Sequence, residues 1–160
     1  MLVPVIERPE PTLLFTRRTE HLPSHAGQVS FPGGRFHASD ASLTVTALRE
    51  TEEEIGLNRR HVELLGHLGE YHTITGFRVT PVAGLVLPPF ELKPDDFEVA
   101  EIFEVPLSFL MDAANRQLGA MLRQGRPRYF HAVPYKNYYI WGATAAMLLQ
   151  FKAFLIQIME

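Results

Sequence analysis

The segment RETEEEIG, residues 49–56, constrains this chain most, because it sets four glutamates (Glu50, Glu52, Glu53 and Glu54) within five positions. On a helix, like charges three and four residues apart are neighbours, and each such pair costs about 0.2–0.5 kcal/mol. Glu50 meets both Glu53 and Glu54 at those separations. At about 100° per residue these three carboxylates share one sector, and Glu52 lies outside it. Leu48, Thr51 and Ile55 fall beside the sector, so the spacing predicts an amphipathic helix whose buried edge is set by Leu48 and Ile55. Asp40 or Ser42 can cap its start, and Gly56 supplies the left-handed stop that ends many helices. The helix is expected over about residues 42–55.

Crowding acids into the last turns of a helix also opposes its dipole, which favours cations there. Either the face is fully solvated, or a cation offsets the repulsion. An apolar stretch ending in the breaker FPGG, residues 31–34, precedes the helix and lets backbone approach an anionic ligand closely. Hard divalent cations take oxygen ligands and commonly join one or two carboxylates to substrate phosphates. Three carboxylates in one sector make a credible metal cradle, with a solvated acidic face as the competing reading.

The 160 residues suit one domain with one core, expected over 1–160, and 46% hydrophobic with 21% charged residues is an ordinary globular balance. A formal charge of −3 argues against a nucleic-acid partner. There are no cysteines, which excludes disulfides, thiolate metal sites and cysteine nucleophiles. MLVPVIERPE lacks the features of a signal peptide. The apolar run at 140–159 is interrupted by Gln150, Lys152 and Gln157, and is expected as a buried terminal helix with no membrane partner. A cytoplasmic protein is expected. The chain begins almost directly at a strand, which leaves room for an N-terminal segment missing from it.

Strands are expected at 2–6, 13–17, 27–31, 62–73, 77–87 and 100–105, with a hairpin from RYFHAVPY and NYYIW. PLSFLMDAANR opens with proline at a helix entrance and predicts a second helix. PPFELKPDD reads as an acidic loop of the kind that borders a site. Strands and helices interleave without regular βαβ units, so the expected fold class is α/β (α+β): a mixed sheet covered by helices on both faces.

The stretch GGRFHASDASLTVTALRETEEEIGL, residues 33–57, resembles the Nudix box of the Nudix hydrolases. Arg49, Glu50, Glu53, Glu54, Gly56 and Leu57 match its second half in register. Thr51 stands where an aliphatic residue is usual; after five residues following Gly34 the chain has Asp40 rather than glutamate, and eight residues, not seven, separate it from Arg49. LFTRRTEHLPSHAGQVSFPGG, residues 14–34, resembles the extra signature of the coenzyme A pyrophosphatase branch through Leu14, Thr16, Arg18, Gly27, Phe31, Pro32, Gly33 and Gly34. Phe15, Thr19 and Pro23 depart from it, Pro23 in place of an arginine, and His37 replaces an aspartate. The stretches TGFRVTPVAGLV and YYIWGATAAMLL also look like this branch.

The resemblance implies a Nudix fold, an α/β/α sandwich, and Mg²⁺- or Mn²⁺-dependent hydrolysis of a diphosphate. Coenzyme A or acyl-coenzyme A would give 3′,5′-ADP and (acyl-)4′-phosphopantetheine. NADH or ADP-ribose is the same-class alternative, and a catalytically silent nucleotide-binding module the different-class one. The implied catalytic residues are Glu50, Glu53, Glu54 and Arg49, with Glu50 either a ligand or the base. The implied metal ligands are the Gly34 carbonyl, Glu50, Glu53, Glu54 and, with Glu101 as its rival, Glu98. Arg18, His25, Gly27, Gln28, Phe31 and Gly33 are the implied substrate contacts. Arg17 and Arg18 suit a phosphate, or form a solvated pair on an edge strand. Tyr135, Tyr138, Tyr139 and Trp141 suit a hairpin and core better than an adenine stack. The seven histidines offer no close pair on one helix face, which argues against zinc.

Overall fold

The computed structural model describes residues 1–160. In chain order the first elements are β1 (Leu2–Ile6), β2 (Thr12–Arg18), β3 (Val29–Ser30) and α1 (Leu43–Ile55). Next come β4 (Val62–His67), β5 (Tyr71–His72), β6 (Arg78–Val79), β7 (Val82–Val86) and β8 (Val99–Pro106). The chain ends with α2 (Leu107–Met111), β9 (Gln117–Arg123), β10 (Arg126–Tyr135), β11 (Tyr138–Trp141) and α3 (Gly142–Met159).

A mixed six-stranded sheet is built around β2. One flank of β2 pairs antiparallel with β1 near Leu13 and with β3 near Thr16, and the other flank pairs along its length with β8. β1 then pairs parallel with β7, which pairs antiparallel with β4. β2 is therefore interior, and Arg17 and Arg18 do not sit on an edge strand.

Side chains alternate across a strand, and both faces of this sheet are covered. Val3, Val5, Leu13, Phe15, Phe103 and Val105 pack with Ala145, Met147, Leu148 and Phe151 of α3. Leu2, Ile6, Leu14, Val82 and Val86 pack on the opposite face, where Ala47 and Ile55 of α1 meet them. The period of two that sends Leu14 toward α1 sends Thr16 and Arg18 the same way. That alternation brings an arginine to the acidic helix.

α1 forms as its signals require. The Ser42 side chain accepts from the Val45 amide at its start, and Gly56 ends it at φ 70°. Its buried stripe is Ala47, Thr51 and Ile55, whereas Leu48 is only half-buried, which corrects the expected edge. Thr51 is tolerated inside because its hydroxyl donates to the Ala47 carbonyl at 2.7 Å. β9 was not expected; it pairs with β10 from Arg123 opposite Arg126 down to Gln117 opposite Ala132. The second helix is short, with five residues in α2 followed by a 3₁₀ turn at Ala113–Asn115. α3 is long and apolar enough by length and composition to cross a membrane. Its first half is buried as expected, but Ile156, Ile158 and Met159 are exposed.

Candidate active site

The acidic loop before β8 closes the end of α1. The last carbonyls of a helix have no intrahelical partner. Here the Lys93 amide donates to Ile55 O at 2.7 Å and the Asp95 amide to Glu54 O at 2.8 Å. The loop is then tied to the end of β2: the Thr19 amide donates to Glu98 O at 3.1 Å, and the Thr19 hydroxyl donates to Phe97 O at 2.7 Å. Glu98 is thereby held between the acidic helix and the strand that carries Arg18. One cleft results, lined by Met1, Thr16, Arg18, Ser30, Gly33, Glu54, Glu98 and Val99.

Glu54 is buried at 8% exposure. Burial first, then the nearby charges of Glu98 and Glu50, push its pKa up to about 8, against the opposing pull of the Gly33 amide and Arg18. The Nε of Arg18 is buried without a hydrogen-bond partner. The Met1 α-amine is lowered to about 6 by burial, with Glu54 and Glu50 pulling the other way.

Arg49 organises the rest of the helix. Its Nε and Nη2 donate to the two Asp40 oxygens at 2.9 and 3.0 Å, a bidentate pair. Its Nη1 donates to Glu50 at 3.1 Å and to both oxygens of Glu53 at 3.2 Å, and Nη2 also reaches the Arg35 carbonyl at 3.1 Å. Asp40 also accepts from the His37 amide and the Thr46 hydroxyl. The Arg49 hydrogen bond, the His37 amide and Thr46 hold its carboxyl below the ordinary range despite burial. The Arg49 guanidinium thus offsets part of the repulsion among the glutamates. Glu52 stands apart, as expected, and pairs with Arg59 at 2.6 Å.

The other expected positions divide. Gly34 packs so closely that a Cβ there would meet Glu50 Cδ at 2.3 Å. Gly27 takes φ 70°, and His25 at φ 55° contacts the Gln28 side chain at 3.0 Å on the exposed loop between β2 and β3. The Phe31 side chain leaves the cleft, lying 1% exposed and stacked on Phe15 at 4.7 Å, so its contribution is to the core. Glu101 pairs with Arg17 rather than with the acidic helix. Tyr138 stacks on Phe103, while Tyr135 meets Phe109 and Trp141 meets Phe130 edge-on, so these rings pack on other aromatic side chains. The pairing of Asp40 with Arg49, nine positions apart, is not visible in the sequence spacing.

The NUDIX domain family model matches residues 1–122. This chain belongs to the Nudix family. Uncharacterized Nudix hydrolases NudL from Salmonella paratyphi B and Salmonella newport are 40% identical to it over 148 residues, which is 92% of this chain and 77% of each relative. Among solved structures, a C. elegans Ap4A hydrolase binary complex aligns with TM-score 0.64 at 16% identity, covering 98% of this chain and 96% of that one. A MutT Nudix hydrolase from Burkholderia pseudomallei aligns with TM-score 0.54 at 19% identity, covering 93% and 94%. These likenesses establish the mixed-sheet Nudix fold.

Nudix hydrolases generally use divalent metal ions, and the donor set here fits one. No three acid or histidine side chains are gathered closely enough to hold an ion by themselves. The cleft instead holds a buried carboxyl whose ionised form a cation would stabilise, since burial and then the charges of Glu98 and Glu50 push Glu54 up to about 8. The Glu50 carboxylate packs directly on Gly34, against the place where a Cβ would sit, which sets it beside the backbone of the FPGG turn.

Proposed function

We propose that this Nudix hydrolase cleaves the diphosphate of coenzyme A or acyl-coenzyme A to 3′,5′-ADP and (acyl-)4′-phosphopantetheine, using Mg²⁺ or Mn²⁺. One observation carries the reading: the segment 14–34, which bears the coenzyme A-type signature, supplies one wall of the cleft and Glu54 and Glu98 another. The Gly34 carbonyl, Glu50, Glu53, Glu54 and Glu98 are the groups that would hold metal. Bound divalent metal supplies charge neutralisation on the diphosphate and acidifies a coordinated water. Arg18, with its buried N–H free, is suited to a phosphate oxygen. Arg49 keeps Glu50 and Glu53 oriented, and Glu50 is available as ligand or as acceptor of the proton that water loses. His25, Gly27, Gln28 and Gly33 border the substrate on the loop side. The protein acts as a cytoplasmic enzyme in this reading.

A panel of coenzyme A, acyl-coenzyme A, NADH and ADP-ribose, assayed with Mg²⁺ and Mn²⁺ and with products identified, tests it. The highest kcat/KM is expected for coenzyme A or a thioester, and Glu53→Gln or Glu54→Gln is expected to abolish turnover. Equal kcat/KM across the panel removes the coenzyme A assignment, and no cleavage by wild type removes the enzymatic one. Pro23, standing where the coenzyme A-type signature has an arginine, favours another nucleoside diphosphate derivative such as NADH or ADP-ribose as the second reading.

A further inference from the structure

Beside the acidic helix, two exposed aromatic side chains and a cation have no assigned task. Phe36 is 53% exposed and Phe77 49% exposed. The Arg35 guanidinium lies over the Phe77 ring, 5.3 Å from its centroid, and pairs with no carboxylate. Both ends of this pair are fixed through backbone. The Arg35 carbonyl accepts from Arg49, the same side chain that holds Glu50 and Glu53. The Phe77 amide donates to the Thr73 hydroxyl at 3.0 Å, and its carbonyl accepts from the Thr73 amide at 2.9 Å, which closes the β5–β6 hairpin. The hairpin therefore presents a ring at a set position while leaving much of that ring in water.

We infer that Arg35 and Phe77 form a stacking platform for the purine nucleotide end of the substrate. This deepens the diphosphate hydrolase reading and rests on it. A planar base stacks on aromatic rings and on guanidinium planes alike, and stacking tolerates different bases because each has a π-face. A guanidinium laid on a phenyl ring offers one flat surface and one positive charge together. That combination suits a base attached to phosphates. An acyl chain would instead favour a closed apolar groove, whereas Arg35, Phe36 and Phe77 are open. The platform is one residue from Gly34, which packs against Glu50, so a nucleotide seated there has its phosphates near the acidic helix.

Binding of 3′,5′-ADP to the whole protein, measured by calorimetry with Mg²⁺ present, tests this without requiring turnover. Phe77→Ala and Arg35→Ala are each expected to weaken binding about tenfold, and Phe77→Trp to restore it. In turnover, Phe77→Ala is expected to raise KM for an adenine-bearing diphosphate about tenfold with kcat within about twofold, and to leave KM for its abasic analogue unchanged. Wild-type affinity in both alanine variants overturns the platform. So does an equal KM rise on the abasic analogue, or no binding of 3′,5′-ADP by wild type. Tight, Phe77-dependent binding without hydrolysis supports the platform while removing the enzymatic reading.

Discussion

At the scale of single residues, Asp40 explains how the first half of the Nudix box tolerates change. It lies two positions before the cap residue Ser42, outside the helix, so an extra residue between it and Arg49 is absorbed in the loop. Helix side chains lean toward the N-terminus, so the Arg49 guanidinium reaches back to it. The shorter aspartate still forms a two-bond pair. In the sequence Asp40 is only a departure or a cap, because spacing counts positions, whereas the pairing depends on where a loop returns. Asp40→Asn is expected to loosen Arg49, and with it Glu50 and Glu53, lowering kcat about 10–100-fold as loss of a supporting partner commonly does. The carboxyl is held below its usual range, so the stability it contributes is complete above the ordinary aspartate pKa near 4 and is lost as pH falls through the lower folded value. Thermal melts of wild type and Asp40→Asn are therefore expected to differ at pH 7 and converge under strong acid. A difference independent of pH would refute this account of the pair.

At the scale of elements, two glycines at the edges of the acidic helix have separable tasks. A Cβ at Gly34 would meet the far end of the Glu50 side chain, which can swing away. Gly34→Ala is expected to keep the melting temperature within about 3 °C of wild type, a change of under about 1 kcal/mol, while cutting activity at least tenfold by displacing Glu50. At Gly56, φ is 70° and a Cβ would lie 2.9 Å from the Lys93 backbone nitrogen, which cannot move cheaply. Gly56→Ala is expected to cost about 1–2 kcal/mol and to loosen the loop that carries Glu98. Calorimetric unfolding and kcat measured on both variants check the division. α1 was legible because caps, period and glycine stop agree. β9 was not, because QLGAMLR has no β-branched residue and carries a glycine, so its strand form comes from pairing with β10. Glu98 was only one of two candidates, since choosing it over Glu101 requires knowing that the acidic loop folds onto the end of α1.

At the scale of the whole molecule, the cleft trades stability for a place to put charge. The Glu54 pKa rises from the ordinary carboxylate range to about 8 on folding. Between about pH 4.5 and pH 8 the folded protein keeps a proton that the unfolded chain has released, so stability falls as pH rises through that window. Below it both states are protonated, and above it the penalty is constant. One pKa unit corresponds to about 1.4 kcal/mol, so the full penalty is on the order of 3–5 kcal/mol. In chelator, Glu54→Gln is expected to melt at the same temperature as wild type near pH 4 and several degrees higher at pH 8. Saturating Mg²⁺ binds the folded state alone and is expected to raise the wild-type melting temperature at pH 8 with little effect on the variant. The same substitution would then remove activity while stabilising the metal-free chain, a pairing expected of a ligand and not of a packing residue. Loss of stability in Glu54→Gln at pH 8 would place the carboxyl among the groups that hold the fold together rather than those that hold metal.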